Sequence, residues 1–218
     1  MHALIASGTG RYADPWHPFP RTSPLLAATL TAAGFTVAIE DDIDHAMTRL
    51  DDVDVLVVNA GDPWRDVPKG TPRTAVPADA LTAALARGMG VLALHCAVAS
   101  LRDYPDWAPA LGAMWIPGSS YHPPASTTVI SGISLPGTGP LPDIELFDER
   151  YCRLQPTGTL TPVAWHSGDT TPEPAAWVRE YSAARIAVDL LGHDERSYAA
   201  PGHRTLLAAL ARWCAPIG

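Results

Sequence analysis

The chain has 218 residues, of which 47% are hydrophobic and 17% charged, and its formal net charge is −8 at pH 7. This length suits one domain whose core needs neither disulfides nor a structural metal to fold. The acidic balance argues against nucleic acid and anionic membranes, because both are held by clustered Lys and Arg. The single lysine, Lys69, stands in neither a Walker-type phosphate loop nor an apolar segment suited to a Schiff base.

The sequence shows no feature of a secreted or membrane protein. No apolar run approaches the roughly 18 residues that span a bilayer, and the amino terminus lacks a charged region followed by an apolar one. The three cysteines, Cys96, Cys152 and Cys214, are scattered and odd in number, which argues against a disulfide framework. We therefore expect a soluble cytoplasmic protein in which Cys152 and Cys214 are structural.

Strands and helices alternate through the first half of the chain. Ser23 is the predicted cap of the first helix, Pro24 its first residue, and Gly34 its end. The alternation predicts a parallel, doubly wound sheet with right-handed crossovers. The predicted strands are Ala3–Ala6, Phe35–Ile39, Val55–Val58 and Val91–Leu94, and the predicted helices are Pro24–Ala33, His45–Leu50 and Ala78–Arg87.

The second half begins with a loop-rich region, Asp103–Pro142, and ends in regular structure. Two short strands, Thr127–Ile130 and Ile144–Phe147, are expected to form a small antiparallel extension. We find no linker or repeat, and therefore predict one α/β domain over residues 1–218. The remaining predicted elements are the strands Val163–Trp165, Ala176–Val178 and Arg185–Val188 and the helix Pro201–Trp213.

The loop after the first strand contains Gly8-Thr9-Gly10-Arg11-Tyr12-Ala13, which matches a dinucleotide-binding pattern, with Glu40 placed where a ribose-binding acid would stand. That chemistry requires a helix to begin within the motif and point its amino terminus at the pyrophosphate. Pro15, Pro18 and Pro20 prevent such a helix. We therefore do not favour a nicotinamide or flavin site.

The fourth strand ends in His95 and Cys96, at a strand-to-helix corner. Ligands of open α/β sheets bind outside the carboxyl ends of the strands, so this corner is a candidate site. His95 needs a polar partner if it is buried. Cys96 is either a small buried hydrophobic residue or a reactive thiol.

A second corner follows the last strand and carries His193, Asp194 and Glu195. Together with Cys96, His193 and Glu195 have the parts of a Cys-His-Glu triad, in which an imidazole takes the thiol proton and a carboxylate orients the imidazole. Asp194 and Glu195 equally fit the first turn of a following helix, where the helix dipole favours acids. Both interpretations stay open at this point.

Three further segments carry candidate side chains. Asp148–Tyr151 directly follows a strand and places two carboxylates beside a phenol, and Tyr121–Pro124 is a loop that can lie over the sheet end. Trp16 and His17 occupy the long loop after the first strand and border the same crevice. The remaining histidines that we expect to be ordinary surface or helix residues are His2, His45 and His203.

Seven motifs follow one another along nearly the whole chain. They are Gly8-x-Gly10 with Trp16-His17, Leu94-His95, His122-Pro123-Pro124, Asp148-Glu149-x-Tyr151, Pro162-Val163-Ala164-Trp165, Trp177-x-Arg179-x-Tyr181, and Leu191-Gly192-His193 with Ser197-Tyr198. In this order the motifs resemble the ThuA (trehalose-utilisation) family. The resemblance implies a fold similar to class I glutamine amidotransferases, a flavodoxin-like three-layer sandwich, and a role in sugar metabolism.

The resemblance also implies which side chains line the pocket. Family members usually carry a further His-Pro before the Asp-Glu-x-Tyr motif, whereas Ile133–Pro142 has none. Val98 and Ala99 stand where the amidotransferase nucleophile motif has glycine, so glutaminase activity is not expected. The residues carried over are His17, His95, His122, Glu149, Tyr151 and His193.

We predict a crevice that binds a small carbohydrate and acts on it by His/carboxylate acid–base or metal-assisted chemistry. The possible cofactor is a divalent metal such as zinc, with His95, His193 and His17 as candidate ligands. The superfamily resemblance suggests a homodimer. The alternatives are the Cys96-His193-Glu195 hydrolase and a non-enzymatic sugar-binding module. The predicted catalytic residues are His95, His193 and Glu149, and the predicted substrate-binding residues are His17, His122, Tyr151, Trp16 and Cys96.

Overall fold

Parallel strands form the centre of the molecule. The computed structural model describes residues 1–68, 70–72 and 74–216, so Lys69 lies outside the described residues. The parallel strands are β1 (His2–Ser7), β2 (Thr36–Glu40), β3 (Val55–Asn59), β4 (Gly90–Leu94) and β11 (Ala184–Asp189). They follow the order β2-β1-β3-β4-β11, which is the flavodoxin order.

Helices cover both faces of this sheet, which gives three layers. One face packs against α1 (Phe19–Ala32) and α6 (Pro201–Cys214), and the other packs against α2 (Ile43–Ala46), α3 (Ala78–Arg87) and α4 (Trp107–Leu111). The apolar run of β3 serves both cores, because successive side chains of a strand point to opposite faces. Leu56 and Val58 join one core and Val55 and Val57 the other. The predicted three-layer α/β sandwich is confirmed.

The antiparallel part of the sheet is made by β10 (Glu173–Tyr181), which pairs with β11 and with β9 (Thr161–His166). The two short strands predicted as a small antiparallel extension, β6 (Ser126–Ile130) and β7 (Ile144–Asp148), do pair antiparallel, but they form a separate two-stranded sheet. They pack over the α6 face through Ile144 and Leu146. The remaining elements are β5 (Ala113–Met114), β8 (Gln155–Pro156) and α5 (Glu195–Ala199).

The first helix begins earlier than predicted. It starts at Phe19 rather than Pro24, and Pro24 is an exposed residue inside the helix. Ser23 is not its cap, because the Ser23 hydroxyl donates a hydrogen bond to Ser7 and accepts one from Asn59, at 2.7 and 3.0 Å. These are contacts beneath the ends of β1 and β3, which the local sequence does not reveal.

The other predicted helices differ in how well local signals define them. The predicted His45–Leu50 helix is a single turn, α2, displaced toward the amino terminus because Asp42 caps it by accepting a hydrogen bond from the His45 backbone at 3.0 Å. The Ala78–Arg87 helix is confirmed, and Gly88 ends it in the left-handed conformation.

All three cysteines are free and buried. This agrees with the prediction that their odd number and scattered positions do not form a disulfide framework. Cys214 is part of the core, where its thiol donates a hydrogen bond to the Val91 carbonyl at 3.0 Å. Across the described residues, no helix is both long enough and apolar enough to cross a membrane.

Candidate functional site

Four ionisable side chains meet at the carboxyl edge of the sheet. His17 lies in the loop after β1, His95 directly follows β4, and His193 lies in the loop after β11. Glu149 directly follows β7 and reaches the same place from the small hairpin. Nitrogen and oxygen atoms of these four residues all lie within 4.8 Å of one another. We call these four residues the His/Glu cluster.

Glu149 is at the centre of the cluster. Its Oε2 atom lies 3.4 Å from His193 Nδ1, 3.5 Å from His95 Nε2 and 4.0 Å from His17 Nε2. Its other oxygen, Oε1, lies 3.4 Å from His122 Nδ1. Burial alone would raise the pKa of Glu149, but the surrounding imidazoles of His17, His193 and His95 hold that pKa well below its usual range.

His95 occupies the strand-to-helix corner in a left-handed backbone conformation, with φ of +43°. That conformation costs a non-glycine residue about 1–3 kcal/mol and is found mainly where surrounding structure enforces it, often at functional sites. The imidazole is 1% exposed, its Nδ1 lies 2.7 Å from the Leu190 carbonyl, and its ring packs on Tyr151 with centroids 4.2 Å apart. The hydrogen bond to Leu190 leaves Nε2 directed at Glu149.

His17 is held by Asp14, a residue that the sequence analysis did not select. The Asp14 carboxylate accepts the backbone N–H groups of Trp16 and His17 and lies 2.7 Å from His17 Nδ1. Burial opposes ionisation of Asp14, but these hydrogen bonds lower its pKa. An Asp three residues before a His, within a proline-rich loop, is the signal that points to this turn.

Glu149 and His193 are both positioned by the buried Asp148 carboxylate. Asp148 Oδ1 accepts the backbone N–H groups of Glu149 and His193 at 2.8 and 3.2 Å, and Oδ2 accepts that of Gly192 at 2.8 Å. The Ser197 hydroxyl also donates to Oδ2, at 2.5 Å. One carboxylate therefore ties the loop after β11 to the loop after β7.

Behind Asp148 lies His203, which we predicted to be an ordinary surface or helix histidine. It lies in α6, as the helix alternative predicts, but it is wholly buried, so the surface alternative is wrong. Its Nδ1 lies 3.0 Å from the Ser197 hydroxyl and its Nε2 lies 3.0 Å from Asp189 Oδ2. Burial opposes protonation, but Asp189 offsets it, so the pKa of His203 is raised. We call Asp148, Asp189, Ser197 and His203 the buried network.

The predicted triad of Cys96, His193 and Glu195 is not assembled. Glu195 lies in the first turn of α5 and forms an ion pair with Arg21 at 2.8 Å, as the alternative helix-start interpretation predicts. His193 faces Glu149 instead. Cys96 Sγ lies 3.3 Å from the Tyr151 hydroxyl, and burial raises the pKa of the Cys96 thiol, which is the opposite of what an activated nucleophile requires.

A cavity of about 880 Å³ opens beside the cluster. His17, Cys96, His122 and Tyr151 border one end of it. Its volume lies within the range of small-molecule pockets, and four tryptophans contribute to its wall. The tryptophans are Trp16, Trp64, Trp107 and Trp115.

A family model described as trehalose utilisation, ThuA, matches residues 2–214. The chain belongs to the ThuA family. This membership indicates a role in trehalose utilisation or sugar metabolism. No curated protein matches the chain.

Solved structures similar to this ThuA protein show the fold. A ThuA-like protein from Parabacteroides merdae has a TM-score of 0.76 and 17% identity, over 98% of this chain and 88% of the other. A ThuA-like protein from Bacteroides uniformis has a TM-score of 0.67 and 17% identity, over 98% and 90%. A catalytic mutant of Gan42B, a GH42 β-galactosidase from G. stearothermophilus, has a TM-score of 0.57 and 13% identity, over 97% of this chain and 29% of that one.

All the site residues predicted for this ThuA protein lie around one edge of the sheet. Three of the cavity tryptophans, Trp64, Trp107 and Trp115, were not predicted, because they come from separate loops and one short helix whose convergence is tertiary. The predicted residues divide between the His/Glu cluster, with His17, His95, Glu149 and His193, and the cavity wall, with Trp16, His17, Cys96, His122 and Tyr151.

Proposed function

We propose that this ThuA protein binds a sugar or an oxidised sugar derivative in the tryptophan-lined cavity and acts on it by proton transfer at the His/Glu cluster. The observation that carries the proposal is the position of Glu149, within 4.0 Å of three imidazole nitrogens. His122, which borders the cavity, lies 3.4 Å from the same carboxylate. Binding surface and acid–base groups are therefore adjacent.

The cavity wall suits a neutral polyhydroxylated ligand. Indole rings offer flat apolar faces on which the C–H faces of a sugar ring can pack, while a few polar groups fix its hydroxyls. Arg102 and Asp62, which also line the cavity, pair with each other at 3.0 Å. Because these charges offset each other, the wall does not demand a strongly charged ligand.

The chemistry that needs no more than these groups is proton transfer next to a carbonyl. The cluster takes the proton from the carbon beside the sugar carbonyl, and the C–H electron pair forms an enediolate. A proton then returns to the former carbonyl carbon, while an imidazole moves the hydroxyl proton between the two oxygens. Atoms and electrons balance without an oxidant or reductant, as in isomerisation of an oxidised sugar.

Two measurements test this function. NMR monitors the exchange of deuterium from D₂O into keto-sugars, and calorimetry measures the binding of the same sugars. We expect binding and exchange in the wild type, loss of exchange in Glu149→Gln, and wild-type behaviour in Glu145→Gln. Glu145 is a suitable control because it is an exposed residue of β7, four positions before Glu149. Binding without exchange in the wild type would instead indicate a binding module, and unchanged binding and turnover in both His95→Ala and His193→Ala would remove the site assignment.

A further inference from the structure

We propose that His17, His95, Glu149 and His193 together form a binding site for one divalent transition-metal ion of the zinc type. The proposal deepens the function proposed above, and rests on it for the role of the ion in turnover. Its structural basis is independent, because it depends on unpaired atoms and their spacing.

The first observation is a set of buried polar atoms that lack hydrogen-bond partners. Within the described part of the chain, these atoms include His17 Nε2, His95 Nε2, His193 Nδ1 and Glu149 Oε2. A buried polar atom without a partner costs about 1–3 kcal/mol, and more when the group is charged. Here four such atoms, one from each member of the cluster, face one another. A single cation would satisfy all four.

The second observation is the spacing of these atoms. Charge-assisted N–H···O hydrogen bonds are about 2.7–2.9 Å long, whereas Glu149 Oε2 lies 3.4, 3.5 and 4.0 Å from the three imidazole nitrogens. Ligands bound to zinc at about 2.0–2.1 Å in a tetrahedron are roughly 3.3 Å apart. Two of the three separations match ligand spacing rather than hydrogen bonding, and the contact to His17 is slightly more open.

The third observation is how the outer ring nitrogens are held. His17 Nδ1 lies 2.7 Å from the Asp14 carboxylate, and His95 Nδ1 lies 2.7 Å from the Leu190 carbonyl. A histidine that binds a metal almost always donates its other N–H to a carboxylate or a backbone carbonyl, which directs the remaining lone pair at the ion. Both forms of that outer contact are present here.

Asp14, His17 and Cys96 form a competing set of potential ligands, also within 4.8 Å of one another. The Asp14 oxygens are already engaged by two backbone N–H groups and by His17. The Cys96 thiol is engaged by the Tyr151 hydroxyl, with Sγ and the hydroxyl oxygen 3.3 Å apart. We therefore assign the ion to the His/Glu cluster.

The donor set defines the chemical class of the ion. Three imidazoles and one carboxylate suit zinc and neighbouring transition metals, whereas magnesium and calcium prefer oxygen ligands. Such an ion would polarise a sugar oxygen that enters from the cavity as a fifth ligand. The four cluster residues would then serve as ligands, and the proton transfer assigned above to the cluster would pass to His122. His122 Nδ1 lies 3.4 Å from Glu149 Oε1, the carboxylate oxygen that is not a proposed ligand.

The experiment is metal analysis of the purified full-length chain, followed by removal of metal with a chelator and titration with Zn²⁺ and with Co²⁺, whose absorption spectrum reports coordination. We expect about one ion per chain and a Co²⁺ spectrum of four- or five-coordinate type. His95→Ala should lose the ion, and Asp14→Asn should weaken binding about 10–100-fold. His45→Ala is the matched control, because His45 pairs with Glu40 at 2.8 Å on the surface and should leave binding unchanged.

Two results would overturn the proposal: a wild-type chain that binds no Zn²⁺ or Co²⁺, or binding that His45→Ala reduces as much as His95→Ala does. Either result leaves the proposed function standing if Glu149→Gln still abolishes deuterium exchange. Conversely, one tightly bound ion in a chain that neither binds nor exchanges sugars supports the metal site and removes the proposed function.

Discussion

The His/Glu cluster and the buried network contain the same kinds of side chain and lie next to each other, yet they differ in one respect. In the buried network, each side-chain oxygen and ring nitrogen of Asp148, Asp189, Ser197 and His203 has a hydrogen-bond partner. In the cluster, one atom of each residue has none among the described residues. The saturated set stabilises the fold, whereas the unsaturated set is where we propose that the ion binds.

The largest expected effect concerns activity. Glu149→Gln removes the charge at the centre of the cluster and should reduce turnover about 10²–10⁴-fold, which is the usual contribution of a positioned acid–base group. Its free energy of unfolding should change little. Deuterium-exchange rates and urea denaturation of the same preparation measure both quantities. A variant that turns over normally, or that mainly loses stability, would place Glu149 with the structural residues.

The second prediction concerns a residue of the buried network, where we expect a loss of stability rather than of activity. Asp189→Asn removes the carboxylate that pairs with the buried His203 at 3.0 Å, and breaking a buried ion pair by removing one partner costs about 3–5 kcal/mol. Urea denaturation should show this loss, while metal binding by the folded fraction is retained. A loss below about 1 kcal/mol would mean that the network is not the structural element we describe.

The third prediction concerns ligand-linked stability. A saturating divalent ion, at about 100 times its dissociation constant, should stabilise the wild type by about 2.7 kcal/mol. The same addition should leave His95→Ala unchanged and stabilise His45→Ala as much as the wild type. Thermal melts of chelator-treated protein, with and without Zn²⁺, make this comparison. Equal stabilisation of His95→Ala would assign the ion elsewhere.

The fourth prediction concerns pH. The pKa of His203 is raised in the folded protein, above the unfolded value of about 6.5. Its contribution to stability is therefore fully present below about pH 6.5 and is lost as pH rises through the folded-state value. The difference in unfolding free energy between the wild type and His203→Gln should therefore decrease as pH rises from about 6.5 through the folded-state pKa of His203. A difference that widens with pH would contradict a protonated His203.

The smallest effect is expected at the rim of the cavity. Trp16 is 61% exposed, so it contributes one stacking face without holding the fold. Trp16→Ala should weaken sugar binding by about 0.5–1.5 kcal/mol, the usual value for an aromatic contact, and should leave metal affinity unchanged. Calorimetric titration with sugar and with Zn²⁺ separates the two.

Much of the fold could be predicted because its signals are local. The alternating strands, the helix ending at Gly88 and the corner at His95 depend on neighbouring residues, and the structure confirms them. The start of α1 could not be predicted, since Ser23 is engaged by Ser7 and Asn59 from distant strands. A local sequence rule identifies a helix cap only where no tertiary contact engages the hydroxyl group of the candidate residue.

The site residues divide in the same way, into those with a local sequence signal and those fixed by tertiary contacts. His17, His95 and His193 could be selected because each follows a predicted strand. His203 could not be distinguished from a surface histidine, since its burial depends on Asp189 and on the packing of α6. The spacing of Asp14 to His17 is a local sequence signal. The role of Asp14 in orienting the His17 ring, however, is visible only in the structure, where its carboxylate lies 2.7 Å from His17 Nδ1.

The most direct test of the proposed metal site is a crystal structure of the zinc-loaded protein with anomalous diffraction data at the zinc edge. We expect one anomalous peak about 2.0–2.2 Å from His17 Nε2, His95 Nε2, His193 Nδ1 and Glu149 Oε2, and no peak in the buried network. An absent peak, with these four atoms hydrogen-bonded to water or to one another, would contradict the claim that the unsaturated cluster is a metal centre.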